Sequence, residues 1–91
     1  MQKRHADTLT NRLEAIITDG STYISWNELY MWYDVKAIAA ATYRDLANRW
    51  IDITTEYEME LGDLMMIQSP SKINPGITLF GSEMPVNVYA D

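Results

Sequence analysis

Cysteine is absent from the 91 residues, so no disulfide framework and no thiolate metal site is possible, and the fold must rest on packing. That absence suits a reducing compartment, and a cytoplasmic location is expected. Histidine is scarce as well: His5 is the single one, and it falls in the N-terminal stretch. Neither a Cys/His pair nor a Ser-His-Asp arrangement can then be built in a fixed site. The four glycines, at 20, 62, 76 and 81, stand alone, which excludes phosphate-cradling glycine-rich loops. Nowhere do 18 apolar residues run together, and MQKRHADTLT has a basic start with no apolar stretch behind it, so neither a membrane span nor a secretory leader is expected. Acid–base catalysis by carboxylates alone would need a concave pocket that so short a chain rarely provides. The expectation is a non-catalytic protein with no cofactor and no metal.

What is present suffices for one hydrophobic core. Hydrophobic residues make up 47% of the chain, including three Trp, six Tyr and six Met, far from a disordered composition. One domain over residues 1–91 is expected, with 1–7 a flexible basic arm, 8–51 helical, 55–80 a β-hairpin part and 82–91 a tail or edge strand.

From Thr8 to Asp19, Leu9, Leu13, Ile16 and Ile17 recur at helical spacing, with Asp7 or Thr8 as start signal and Gly20 as stop. Ser21 to Ile24 reads as a link. Ser25-Trp26-Asn27-Glu28 matches a capping box, so a second, largely apolar helix should begin at Trp26. Asp34 could cap a third helix from Val35 to about Ile51, with Val35, Ala39, Thr42, Leu46 and Trp50 on its buried stripe. Its other face carries Ala37, Ala40, Ala41, Arg44 and Asn48, small side chains around two polar ones. From Thr55 the period becomes two, Tyr57, Met59 and Leu61 alternating with Glu56, Glu58 and Glu60, which predicts a half-buried strand with an acidic outer row. Gly62-Asp63 supplies a turn, Leu64 to Ile67 a return strand, Ser69 to Gly76 a loop, and Ile77 to Phe80 a further strand. Met84, Val86 and Val88 allow one more edge strand, kept off a sheet centre by Pro85.

The fold class is therefore α+β, three N-terminal helices followed by a small antiparallel sheet. Its element order, and the run Ile38 to Trp50 with small residues followed by Thr, Arg and Leu, resemble winged helix-turn-helix domains and their recognition helix. A looser arrangement of helices on an antiparallel sheet fits the same pattern.

Charge divides the chain. Residues 1–50 carry six bases and six acids, whereas 51–91 carry Lys72 against seven acids, so the whole net charge of −6 lies in the second half. Duplex binders ordinarily show the opposite sign, because Lys and Arg displace counterions from phosphates. The leading expectation is thus a protein-binding module, a small inhibitor or regulator. Its acidic strand face (Glu56, Glu58, Glu60, with Asp63 at the turn) and the aromatic helix (Met31, Trp32) would meet a basic protein, including one that itself binds nucleic acid. Carboxylates in a row on one strand face point in parallel and do not converge on a metal. The same row also serves simply as a solvated face that discourages edge pairing. Likewise, Met31 and Trp32 fit a core role as well as an anchor role.

A DNA-binding regulator, expected as a homodimer, is the alternative. It would use residues 35–51 as recognition helix, with Lys36, Arg44 and Asn48 there and Lys72 on the wing loop. A structural component of a larger assembly is a second alternative.

Overall fold

The computed structural model describes residues 1–68 and 75–83. The element order is α1 (Lys3–Asp19), β1 (Thr22–Ser25), α2 (Trp26–Tyr33), α3 (Ala40–Glu56), β2 (Leu64–Gln68) and β3 (Gly76–Gly81). The fold is α+β, but its strands interleave with the helices instead of following them. All three strands form one antiparallel sheet in the order β1-β3-β2.

α1 buries Leu9, Leu13 and Ile16, the stripe that the 3.6-residue period predicts. It ends at Gly20, whose φ of 93° lets its N–H return to the Ile16 carbonyl at 2.9 Å. Its start corrects the sequence expectation. The helix begins at Lys3, so residues 3–7 belong to it, and neither Asp7 nor Thr8 caps it. Asp7 instead pairs with Lys3 one turn back, and the Thr8 hydroxyl donates to the Arg4 carbonyl.

The capping box forms as read. The Ser25 hydroxyl accepts from the Glu28 N–H at 3.2 Å, and Glu28 accepts from the Ser25 N–H at 3.1 Å. The link before it is a strand, with Thr22 and Ile24 facing the core and Tyr23 opposite Thr78. Four residues are too few for alternation to stand out in a sequence; β1 exists because β3 offers it an edge.

Asp34 does not start α3. It ends α2 in the left-handed conformation (φ 53°), and a loop of residues 34–39 follows before Ala40. Once begun, α3 buries Thr42, Leu46, Trp50 and Ile53, so the expected stripe holds from Thr42 onward, while Val35 and Ala39 fall outside the helix.

The largest correction concerns residues 55–61. They form no strand: α3 runs on through Glu56, Tyr57 caps it, and Glu58 turns the chain at φ 55°. The physical reason is competition for the same residues. Ile53 extends the buried helical stripe by one more turn, and both edges of β3 are taken, one by β1 and one by β2. Of the apolar alternates only Leu61 is buried, while Tyr57 and Met59 are 50% and 39% exposed. The β-hairpin of the second half is therefore β2–β3, with Leu64 opposite Gly81 and Gln68 opposite Ile77. Most of the 69–76 loop, and the tail or edge strand expected at 82–91 apart from Ser82 and Glu83, lie outside the described residues.

The core forms between the helices and one sheet face. Leu9, Leu13 and Ile16 of α1 meet Leu29 and Trp32 of α2, Leu46 and Trp50 of α3, and Ile24, Ile77 and Leu79 of the sheet. No helix among the described residues is long and apolar enough to cross a membrane.

Candidate functional site

Two polar clusters hold the helices in place and thereby decide which side chains are left facing outward. In the first, the Arg12 guanidinium donates from Nη2 to Glu28 Oε2 at 2.5 Å and from Nη1 to Glu28 Oε1 at 3.2 Å, and also to the Tyr23 carbonyl at 3.0 Å. The guanidinium lies 5.6 Å from the centre of the Trp32 ring, within cation–π range. Burial pushes the Glu28 carboxyl up, but hydrogen bonds from Arg12 and Ser25 outweigh that and hold it below the usual glutamate range. One carboxylate thus closes the capping box of α2 and clamps α1 against it.

The second cluster joins α2 to α3. Tyr33, the last residue of α2, donates its hydroxyl to Asp45 Oδ2 at 2.6 Å, and Arg49 Nε donates to the same oxygen at 2.7 Å. Burial and the adjacent Asp45 carboxylate push the Tyr33 hydroxyl far up, so it stays a donor throughout the neutral range. For Asp45, burial acts upward, yet the bonds from Arg49 and Tyr33 win and the carboxyl sits below its ordinary value.

The direction of that shift sets a pH dependence. A depressed carboxyl stabilises the fold above the ordinary aspartate value of 3.8, and the contribution is lost as pH falls from there through the depressed folded value. Tyr33→Phe is expected to cost about 1 to 2 kcal/mol at pH 7, as for a hydrogen bond to a charged group in a half-buried place. Asp45→Asn should lose less stability than the native chain between pH 7 and pH 3. Urea unfolding at both pH values measures the two effects, and equal acid losses in the two proteins would exclude Asp45 as a source.

With Asp45 and Arg49 engaged inward, the outer face of α3 presents Ala40, Ala41, Arg44 and Asn48, all exposed, and Lys36 stands exposed in the preceding turn. Among the described residues, Lys3, Arg12 and Arg49 have ion-pair partners, whereas Arg4, Lys36 and Arg44 have none. No family model, curated protein or solved structure matches this chain. Its function must therefore be read from the site itself.

The structure separates the residues that sequence reasoning grouped. Arg44 and Asn48 lie exposed in the first half of α3 as expected, Lys36 lies in the loop before the helix and not on it, because α3 begins only at Ala40, and Lys72 lies outside the described residues. Met31 and Trp32 part company: Met31 is 57% exposed, but Trp32 is 3% exposed and packs in the core beneath Arg12, so it is no surface anchor. Two residues adjacent on a helix point about 100° apart, and only one of them can face the solvent here. Met31 and Arg4 line one open groove of about 590 Å³, with Trp32 and Asp34 among its walls.

The acidic row does not exist as a sheet face. Glu56 ends α3, Glu58 and Glu60 lie in the connection to β2, and Asp63 precedes that strand, all four exposed. No group of three or more His, Asp or Glu placed to hold a metal ion occurs among the described residues. Sequence reasoning missed Arg12, Glu28, Tyr33, Asp45 and Arg49 as organisers of the site. The Asp45–Arg49 pair is visible as an i,i+4 spacing. Arg12 and Glu28 are sixteen positions apart and meet only in the folded chain.

Proposed function

We propose that this chain is a winged helix-turn-helix module that binds duplex DNA, with α3 as the helix that enters the major groove and the β2–β3 hairpin as the wing. The reading is carried by one observation: Lys36 just before α3 and Arg44 and Asn48 in its first half are all exposed, while Arg49, the other cation of that helix, is engaged by Asp45. Topology supports it. A strand between the first two helices, a third helix directly before a hairpin, and the sheet order β1-β3-β2 put α3 and the hairpin next to each other in the chain and in space. The resemblance of Ile38 to Trp50 to a recognition helix agrees with this placement.

The net charge of −6 argues the other way, and the position of the acids along the chain limits how far it does so. Six acids, Asp52, Glu56, Glu58, Glu60, Asp63 and Glu83, are exposed from the last turns of α3 onward. From Arg44 to Glu56 the helix rises about 18 Å at roughly 1.5 Å per residue, about twice the Debye length of about 8 Å at physiological salt. Glu56 is thus largely screened from whatever meets Arg44, whereas Asp52, about 12 Å from Arg44 and about 6 Å from Asn48 along the helix, marks where the acidic part of α3 begins.

Anisotropy of a labelled mixed-sequence duplex tests the reading. Binding at about 50 mM salt is expected, and three neutralised phosphates would weaken it roughly 40-fold by about 200 mM, from a slope near −0.9 per contact. Arg44→Ala and Lys36→Ala should each lower affinity and flatten that slope. Failure to bind any duplex at the lower salt would overturn the proposal.

A basic protein partner is the second reading, favoured by those same six exposed acids, with no cation from Asp52 onward among the described residues, and by the exposed Met31. Capture of such a partner that survives Arg44→Ala but not charge reversal at Glu56, Glu58 and Glu60 would favour it over DNA.

A further inference from the structure

We infer that Arg44 and Asn48 form the base-reading pair of this chain, selecting a guanine and an adenine that lie within two base pairs of each other. The inference rests on the duplex-binding reading above and adds to it a specificity. Both residues are exposed on α3, and neither side chain has a hydrogen-bond or ion-pair partner among the described residues. For Arg44 this has a structural cause. The adjacent acid, Asp45, points about 100° away and engages Tyr33 and Arg49, and the positions three and four residues from Arg44 are Ala40, Ala41, Ala47 and Asn48, none of them an acid, so its guanidinium has no ion-pair partner among the described residues.

Spacing and chemistry then define what the pair fits. Positions 44 and 48 are one turn apart and share a line along the helix, separated by a rise of about 6 Å. Successive bases on one strand are about 3.4 Å apart along the axis, so whatever angle the helix takes in the groove the separation spans no more than about two base steps. A planar guanidinium donates two parallel bonds to O6 and N7 of guanine, and a carboxamide both donates and accepts against N7 and N6 of adenine. The two side chains differ in reach. Asparagine is short, so the backbone of α3 must come close to the base edges, and the side chains on the turn N-terminal to Arg44 permit it because Ala40 and Ala41 present only methyl groups. One turn beyond Asn48 stands Asp52, exposed and negatively charged, which the phosphates repel. The reading surface therefore ends at Asn48, and its first contact is Arg44.

Selection from a pool of duplexes with a randomised core of about one helical turn, at low salt, tests the pairing with the full chain and with Arg44→Ala and Asn48→Ala. Both positions are solvent-facing, and circular dichroism verifies that the variants keep the fold. The native chain is expected to enrich sequences with guanine and adenine no more than two base pairs apart. Asn48→Ala should lose the adenine preference alone and Arg44→Ala the guanine preference alone, each by roughly 5- to 150-fold in discrimination. Enrichment of no common sequence, or of one that neither variant alters, would overturn the base-reading role while duplex binding stood. If the native chain retains no duplex at all, the duplex-binding reading fails, and this inference fails with it.

Discussion

Trp50→Ala is expected to remove about 3 to 5 kcal/mol of stability, the usual loss for a large aromatic truncated in a core. A chain of this length has roughly 5 to 14 kcal/mol in all, so the variant would lose from about a fifth of its stability to all of it. The side chain is 1% exposed and touches the centre of the core from α3. It has a polar role as well, since its Nε1 donates to the Gly62 carbonyl at 3.0 Å, across the connection that leads from α3 into β2. Truncation would therefore open a cavity and also release the point at which the β2–β3 hairpin is tied to α3. Trp50→Phe separates the two contributions. It keeps much of the buried volume but leaves the Gly62 carbonyl without its donor, with an expected loss of about 1 to 3 kcal/mol. Urea denaturation at constant pH measures both variants. If Trp50→Ala loses less than about 1 kcal/mol, well under the usual core range, the core described for α3 is wrong.

Gly76→Ala is expected to be comparably damaging although it adds a single methyl group. A Cβ at Gly76 would overlap the Ile24 carbonyl oxygen and stand 2.6 Å from Ser25 Cα and 2.8 Å from the Tyr23 hydroxyl. The first two are backbone, and they cannot retreat cheaply. Ser25 pairs with Gly76 in the sheet and at the same time caps α2 through its bonds with Glu28, and Glu28 is in turn held by Arg12. Room for the methyl would have to come from parting β1 and β3 or from moving the start of α2. A loss of about 3 kcal/mol or more is expected, at the upper end for overpacking, because the obstruction is main chain. Hydrogen exchange should report it selectively, with amides of β1 and the first turn of α2 losing protection before those of α1. Wild-type-like protection at Thr22 to Ser25 would contradict the described strand pairing.

These two sites illustrate how unevenly the fold could be read. Trp50 was legible, since its place on the Thr42–Leu46 stripe follows from helical spacing. Gly76 was visible only as part of a turn signal, because its closest neighbours lie some fifty residues away in β1. The candidate site divides in the same way. Arg44 and Asn48 could be picked from the pattern of α3, Lys36 was expected on that helix but lies in the loop before it, and the Tyr33–Asp45–Arg49 cluster depends on how α2 docks against α3. The error at Glu56 to Leu61 has a related cause. Period-two alternation describes what a strand would want, but it carries no information about whether a sheet edge is free to receive one.

Elements with local causes were settled by residue order alone: the buried stripe of α1 and its glycine stop, the capping box at Ser25, the stripe of α3 from Thr42, the strands at Leu64 and Ile77, and the placing of the whole net charge after residue 50. These follow from interactions within one or two turns of chain, where spacing is geometry. Packing in three dimensions was needed to make Thr22 to Ser25 a strand, to carry α3 on through Glu56, to bury Trp32 while exposing Met31, and to keep the acids off a common sheet face. Each of those outcomes depends on competition among distant segments for the same edges and the same buried volume. Such competition is settled only when the whole chain packs at once.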